Sequence, residues 1–210
     1  MVQDPRKRQK KLERQKAKKK AEQRAVARLE GRGLPAQFKA AADAPILHCC
    51  LADDIWKHGI GQILISRQMT TGNVAFAVFM VDLYCLGVKD VFLNVAPRAK
   101  YMADLYDKLV RRGSLIPLKP ECARKLIEGA VAYALDLGIP PHADYRRASL
   151  IFGRIAADAC TETYRYGKDG KPFFVAGPND GPSRCEQIMS ILENRCGPGG
   201  YHFLMPLMEM

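Results

Sequence analysis

The chain has 210 residues, 48% hydrophobic and 26% charged, with a formal charge of +11, a composition that suits one sizeable globular core. The charge is unevenly placed: residues 1–32 hold 13 Lys and Arg against 4 Asp and Glu, and residues 33–210 hold 20 against 18. The longest uninterrupted apolar run, Val74 to Val81, has eight residues, far short of the ~20 that a membrane-spanning helix needs. The early basic residues are followed by more basic residues where a secretory signal would carry an apolar region. On these features neither a membrane-spanning helix nor a secretory leader is expected, and the expected location is the cytoplasm, or the nucleus if the source is a nucleated cell.

Two units are expected: a basic arm over residues 1–32, helical or disordered, and a single α+β domain over residues 33–210. From Arg6 to Glu30 there is no Gly or Pro, and helix-forming Ala, Lys, Arg, Gln, Glu and Leu dominate. About 25 residues would make a rod of about 37 Å. Leu12, Val26 and Leu29 are its few large apolar residues, so the arm has no wide face to bury and gains order from an anionic partner. Gly31 to Pro35 reads as a hinge.

Ile46 to Leu51 suits a first strand, and Asp53 to Gly59 a turn or one helical turn. The densest apolar stretch follows. Gln62 to Met69 and Val74 to Cys85 flank Thr70-Thr71-Gly72-Asn73, a turn signal between two β-prone arms, and together they read as a β-hairpin. In the second arm both alternating residue sets are apolar, as in a strand covered on both faces, and it is expected to be the central strand of the sheet. Asp90 to Val95 fits a strand or a helix equally. Pro97 opens a helical segment with Tyr101, Leu105 and Leu109 on one side, ending near Gly113.

Glu121 to Leu137 has the clearest helical pattern, between Pro120 and Gly138. A second helical segment is expected from Ala143 to about Ala156. A second hairpin follows, Thr161 to Tyr166 and Pro172 to Ala176 around Gly167-Lys168-Asp169-Gly170. Ser183 is expected to cap a last helix, Arg184 to Arg195, and Tyr201 to Leu207 to return as a strand. Strands and helices come in blocks without βαβ alternation. The expected fold is therefore α+β, an antiparallel-rich sheet built on a β-hairpin and packed by helices.

The arm is the strongest functional signal. Its cations, Arg6, Lys7, Arg8, Lys10, Lys11, Arg14, Lys16, Lys18, Lys19, Lys20, Arg24 and Arg28, match the electrostatic footprint of a segment that neutralises phosphates. The expected partner is RNA or a ribonucleoprotein such as the ribosome, with DNA as the related polyanion. The segment has no aromatic residue for base stacking, so contact falls on the backbone and is blind to sequence. A weaker alternative is a protein-interaction module whose basic tail only targets it.

An enzymatic alternative rests on carboxylates. Asp82 interrupts an apolar strand, where a carboxylate must be paired, metal-bound or near the strand end. Together with Asp54, Asp90 and Glu128 it could form the acidic cluster of a metal-dependent nuclease or phosphoesterase, with Mg²⁺ or Mn²⁺ as its only cofactor. The simpler reading is that Asp82 accepts backbone hydrogen bonds or pairs with Lys89. His142 and Asp144 read as capping residues at a helix start. His48 beside Cys49 and Cys50 is weak as a nucleophile pair, since adjacent strand residues face opposite ways. Gly177 to Ser183 reads as a turn and cap, lacking the Walker pattern. The cysteines at 49, 50, 85, 122, 160, 185 and 196 have no CxxC spacing and are expected to be reduced core thiols.

Overall fold

The structure, a computed structural model, describes residues 13–14, 31, 33–177 and 180–204. Its frame is a five-stranded antiparallel sheet of strands β1 (Ile46–Ala52), β2 (Ile60–Gln68), β3 (Asn73–Asp82), β4 (Gly87–Pro97) and β5 (Leu115–Pro117), in the order β4-β3-β2-β1-β5. The sequence hairpin is β2–β3, paired from Ile60 with Asp82 to Gln68 with Val74. Gly72, at φ +85° in the connecting turn, supplies a conformation that side chains resist. The central strand of the sheet is β2, not β3 as expected, because β1 and β5 extend the sheet on its other side.

The two apolar faces of β3 explain the layering. Ala75, Ala77, Phe79 and Val81 point into the larger core with Leu126, Ile127 and Ala130, while Val74, Phe76 and Val78 pack on the other face with Tyr101 and Leu109. Helix α1 (Leu34–Ala41) adds Phe38 to the first face. A one-turn helix α2 (Ile55–His58) joins β1 to β2. After β4 come α3 (Arg98–Tyr101), a π-turn over Met102–Tyr106 and α4 (Asp107–Arg112), which cover the second face.

Helix α5 (Pro120–Asp136) buries Cys122, Ala123, Leu126, Ile127, Ala130, Val131 and Ala134, the 3.6-residue stripe that its sequence announces. The next helical segment is shorter than expected: α6 (Tyr145–Ala148) runs into a 3₁₀ turn, Ser149–Phe152, and stops at Gly153. Arg67 of β2 holds that stop. Its side chain, 5% exposed, donates from Nε to Ile151 O at 2.6 Å, from Nη2 to Phe152 O at 2.7 Å and from Nη1 to Ala44 O. One guanidinium thus satisfies three carbonyls left open where helical turns end.

Beyond this point three expectations are corrected. Thr161 to Tyr166 is not a strand; only Lys168 and Lys171 bridge across the turn. The tyrosines leave the hairpin plane for better partners: Tyr166 donates its hydroxyl to Leu126 O and stacks on Tyr133, and Tyr164 stacks on Trp56. The other arm becomes β6 (Phe173–Val175), which pairs in parallel with β7 (His202–Leu204). Helix α7 (Pro182–Cys196) lies between them in sequence, and its N-cap is Gly181, one residue before Pro182, so Ser183 lies inside the helix. Phe174, Cys185, Ile188 and Leu192 form a second core against Cys85, Leu86 and Ala134.

The cysteines give the third correction. Cys122 and Cys160 are joined as a disulfide, their Cα atoms 5.0 Å apart. The pairing follows from the docking of the 155–160 loop on the first turns of α5, where Arg124 donates to Ile155 O and Lys125 to Cys160 O. Cys49, Cys50, Cys85 and Cys185 are free and buried, as expected of core thiols. Among the described residues no helix is long and apolar enough to cross a membrane.

Candidate functional site

Asp82 ends β3 and organises the turn to β4. Its Oδ1 accepts the backbone N–H groups of Tyr84 at 2.8 Å and Cys85 at 3.0 Å, an Asx-type arrangement that folds the chain back on itself. Gly87, opposite Asp82 in the β3–β4 ladder, has φ +65°. A Cβ there would stand 2.8 Å from Ala130 O and 2.9 Å from Ala134 Cβ, so the turn rests directly on α5. Asp82 is 5% exposed. Burial pushes its carboxyl up to about 6, against the backbone hydrogen bonds from Tyr84, Cys85 and Leu86 and the charge of Lys89, which pull it down.

This turn is the inner end of a cleft of about 640 Å³. Helix α2 contributes Lys57 and His58 to its lining, and the ends of β2 and β3 contribute Ile60 and Met80. Strand β6 and the turn before it contribute Lys168 and Phe173. Backbone bonds fix that segment on the Asp82 turn: Gly167 donates to Leu83 O at 2.9 Å and Phe173 to Tyr84 O at 3.0 Å. The rings of Tyr84 and Phe173 are 6.3 Å apart, and the Lys168 ammonium lies 4.8 Å over the Phe173 ring, a cation–π contact. Lys89 and Asp90 of β4 complete the lining.

The charges in this cleft are not equivalent. Lys89 is committed to Asp180, whose side chain is 3% exposed and which also accepts Gly177 N–H at 2.8 Å and Arg184 Nε at 3.2 Å. Burial pushes the Asp180 carboxyl up, but the Lys89 hydrogen bond, the Gly177 amide and the charges of Lys89 and Arg184 outweigh it and leave the group below its ordinary value. The Gly177–Ser183 loop therefore closes on its own aspartate, in keeping with the turn reading. Asp90 has His142 Nε2 at 3.7 Å. Among the described residues the side chains of Lys57 and His58 make neither a hydrogen bond nor an ion pair, while their backbone N–H groups both donate to Asp54 O at 3.0 Å. These side chains are cationic or polar groups open to a ligand.

The four carboxylates proposed for a metal separate into different settings. Asp82 and Asp90 line this cleft, Asp54 lines a neighbouring one of about 700 Å³, and Glu128 is paired with Arg124 at 2.8 Å on α5. Among the described residues no group of three His, Cys, Asp or Glu side chains stands close enough to hold a metal ion. Lys89, proposed as the partner of Asp82, bonds to Asp180 and reaches Asp82 only through its field. Asp144 stands at the start of α6 without a side-chain capping bond and pairs with Arg147 at 3.1 Å, while His142 Nδ1 accepts the Asp144 N–H at 3.2 Å.

His48 belongs to a buried network instead of a nucleophile pair. Its Nδ1 is 2.8 Å from the Tyr101 hydroxyl, which donates to Ser66 Oγ at 3.0 Å, and its ring stacks on Tyr106 at 3.9 Å. Burial and the charge of Arg98 lower the pKa of His48, and burial pushes the Cys49 thiol up to about 12, the reverse of what thiolate chemistry needs. Of the arm residues proposed to bind nucleic acid, Arg14 alone is described, helical and exposed; Arg6, Lys7, Arg8, Lys10, Lys11, Lys16, Lys18, Lys19, Lys20, Arg24 and Arg28 lie outside the described residues.

The fold and cleft define an α+β domain with a half-open, lysine-edged pocket at one end of its sheet. No protein-family model, curated protein or solved structure matches this chain.

Proposed function

We propose that the protein is a cytoplasmic RNA-binding protein, associated with the ribosome or another ribonucleoprotein, whose N-terminal segment grips the phosphate backbone. One observation carries this reading: of a formal surplus of 11 positive charges, 13 − 4 = 9 fall within residues 1–32, leaving the domain with 20 − 18 = 2. A charge density of that kind supplies affinity through counterion release and little sequence preference. The metal-dependent alternative would need Asp54, Asp82, Asp90 and Glu128 to meet at one point, and no grouping among the described residues favours it.

The test uses the full chain. Lys18, Lys19 and Lys20 are changed together to Gln, and binding to single-stranded RNA is measured across a salt series. The slope of log affinity against log salt should flatten by about 2 for the three lost contacts, at about 0.7 per neutralised phosphate. Unchanged affinity and slope would overturn the reading.

A further inference from the structure

The cleft beside Asp82 has a composition that backbone contact by the arm does not use. Its apolar lining comes from Ile60, Met80 and Val175, with Ile60 and Val175 both exposed, and from two aromatic rings, Tyr84 and Phe173, 6.3 Å apart. Its polar lining is mixed, with the ammonium groups of Lys57 and Lys168, the imidazole of His58 and the exposed carboxylate of Asp90, and Lys168 lies over the Phe173 ring. A free inorganic anion would leave the apolar lining unused, and a neutral aromatic compound would leave the cations unused. A planar ring that carries a phosphate uses both, and about 640 Å³ lies within the usual range of small-ligand pockets. Asp82 at the inner end offers a buried carboxyl that can exchange hydrogen bonds with the polar edge of a heterocycle.

We propose that this cleft binds a nucleoside monophosphate unit, with the base against Tyr84 and Phe173 and the phosphate on Lys57, His58 and Lys168. The unit is either a free nucleotide or one unstacked residue of a bound strand. The neighbouring cleft offers room for a strand: it shares Lys57, Ile60 and Met80 with the first and adds Arg112, Ser114 and Gln62 along with the carboxylates Asp53 and Asp54, so a chain leaving the pocket would follow the Arg112 side. The second source rests on the RNA reading above, and the first does not.

The experiment titrates the full-length protein with AMP, GMP, CMP and UMP, with the matching nucleosides, with inorganic phosphate, and with a single-stranded RNA of about 12 nucleotides. Heat of binding is read together with the fluorescence of Trp56, the single tryptophan, which precedes Lys57 and is 48% exposed. At least one monophosphate should bind about tenfold more tightly than its nucleoside and than phosphate, since ring and charge are both recognised. Lys57→Gln and Lys168→Gln, at surface positions, should each weaken it about fivefold while the melting temperature stays unchanged. Competition of the monophosphate with the RNA, together with weakened RNA binding by the same two variants at constant salt, assigns the pocket to a residue of the strand. Monophosphate binding without competition assigns it to a free nucleotide. Monophosphate binding that both variants leave intact overturns the site. RNA binding with no monophosphate binding, and with no effect of either variant, overturns the site and leaves the arm reading standing; loss of both kinds of binding overturns the two together.

Discussion

Asp82→Asn isolates a carboxyl that the fold holds away from water. In the folded chain burial raises its pKa from an ordinary 3.8 to about 6. At about 1.4 kcal/mol per unit, a shift of about 2 units is worth about 3 kcal/mol. The sign follows from proton binding: between 3.8 and about 6 the folded chain holds a proton that the unfolded chain has released. The contribution is present in full below 3.8 and is lost as pH rises through about 6. Asparagine keeps an oxygen for the Tyr84 and Cys85 amides and has nothing to ionise. The assay is urea unfolding of both proteins from a pH of about 3.5 to about 7.5. The variant should gain about 3 kcal/mol on the parent across that range; all other carboxylates, Asp180 included, contribute to both and drop out of the difference. Two parallel stability curves would refute the burial argument.

Other outcomes follow from the same geometry. Arg67→Ala leaves three carbonyls without their donor and should cost about 3–5 kcal/mol, read from the denaturation midpoint; Arg67→Lys, which cannot fork to three acceptors, should recover only part. Replacing Cys122 and Cys160 together by Ser frees a loop of sequence separation 38 and should cost about 4 kcal/mol on the chain-entropy scale. The parent treated with a reductant should fall to the same midpoint. Asp180→Asn strands the Lys89 ammonium, whose side chain is only 15% exposed, and should cost about 2–3 kcal/mol near neutrality. Because the Asp180 carboxyl lies below its ordinary value, its contribution is present above about 4 and is lost as pH falls through the folded value, so the two proteins should converge in acid.

How much of this was legible in the sequence depends on the range of the forces involved. The β2–β3 hairpin and α5 were readable because alternation and the 3.6-residue stripe are local consequences of a buried face. Even the two-sided cover of β3 was visible in the unbroken run Val74 to Val81. Its placement as the central strand was not, since that depends on where β1 and β5 add, a choice made between elements far apart in the chain. Asp82 was seen as anomalous, but its solution lies two and three residues downstream: Asp followed by Tyr84, Cys85 and a positive-φ Gly87 is a turn signature. The simpler reading, a carboxylate that accepts backbone hydrogen bonds, is the one observed; extending the second hairpin arm to Cys85 misplaced only the turn. The second hairpin failed because Tyr164 and Tyr166 gain more from Trp56, Tyr133 and a helix carbonyl than from a ladder. The disulfide partners share no spacing motif, and the cleft draws on three separated segments, near residues 57–60, 80–90 and 168–177. The uncommitted Lys57 and His58 were thus invisible as a pair with Lys168.

The forked contact of Arg67 also bears on the order in which the molecule assembles. Its three acceptors sit at residues 44, 151 and 152, so the guanidinium can be satisfied only after β2, the segment before β1 and the segment following α6 have met. Closing contacts of such sequence separation is slow and late, whereas the β2–β3 hairpin closes over a few residues. A bond made after the rate-limiting step leaves the folding rate nearly untouched and acts as a latch on the way out. In kinetic terms, Arg67 governs how long the native state lasts more than how quickly it forms.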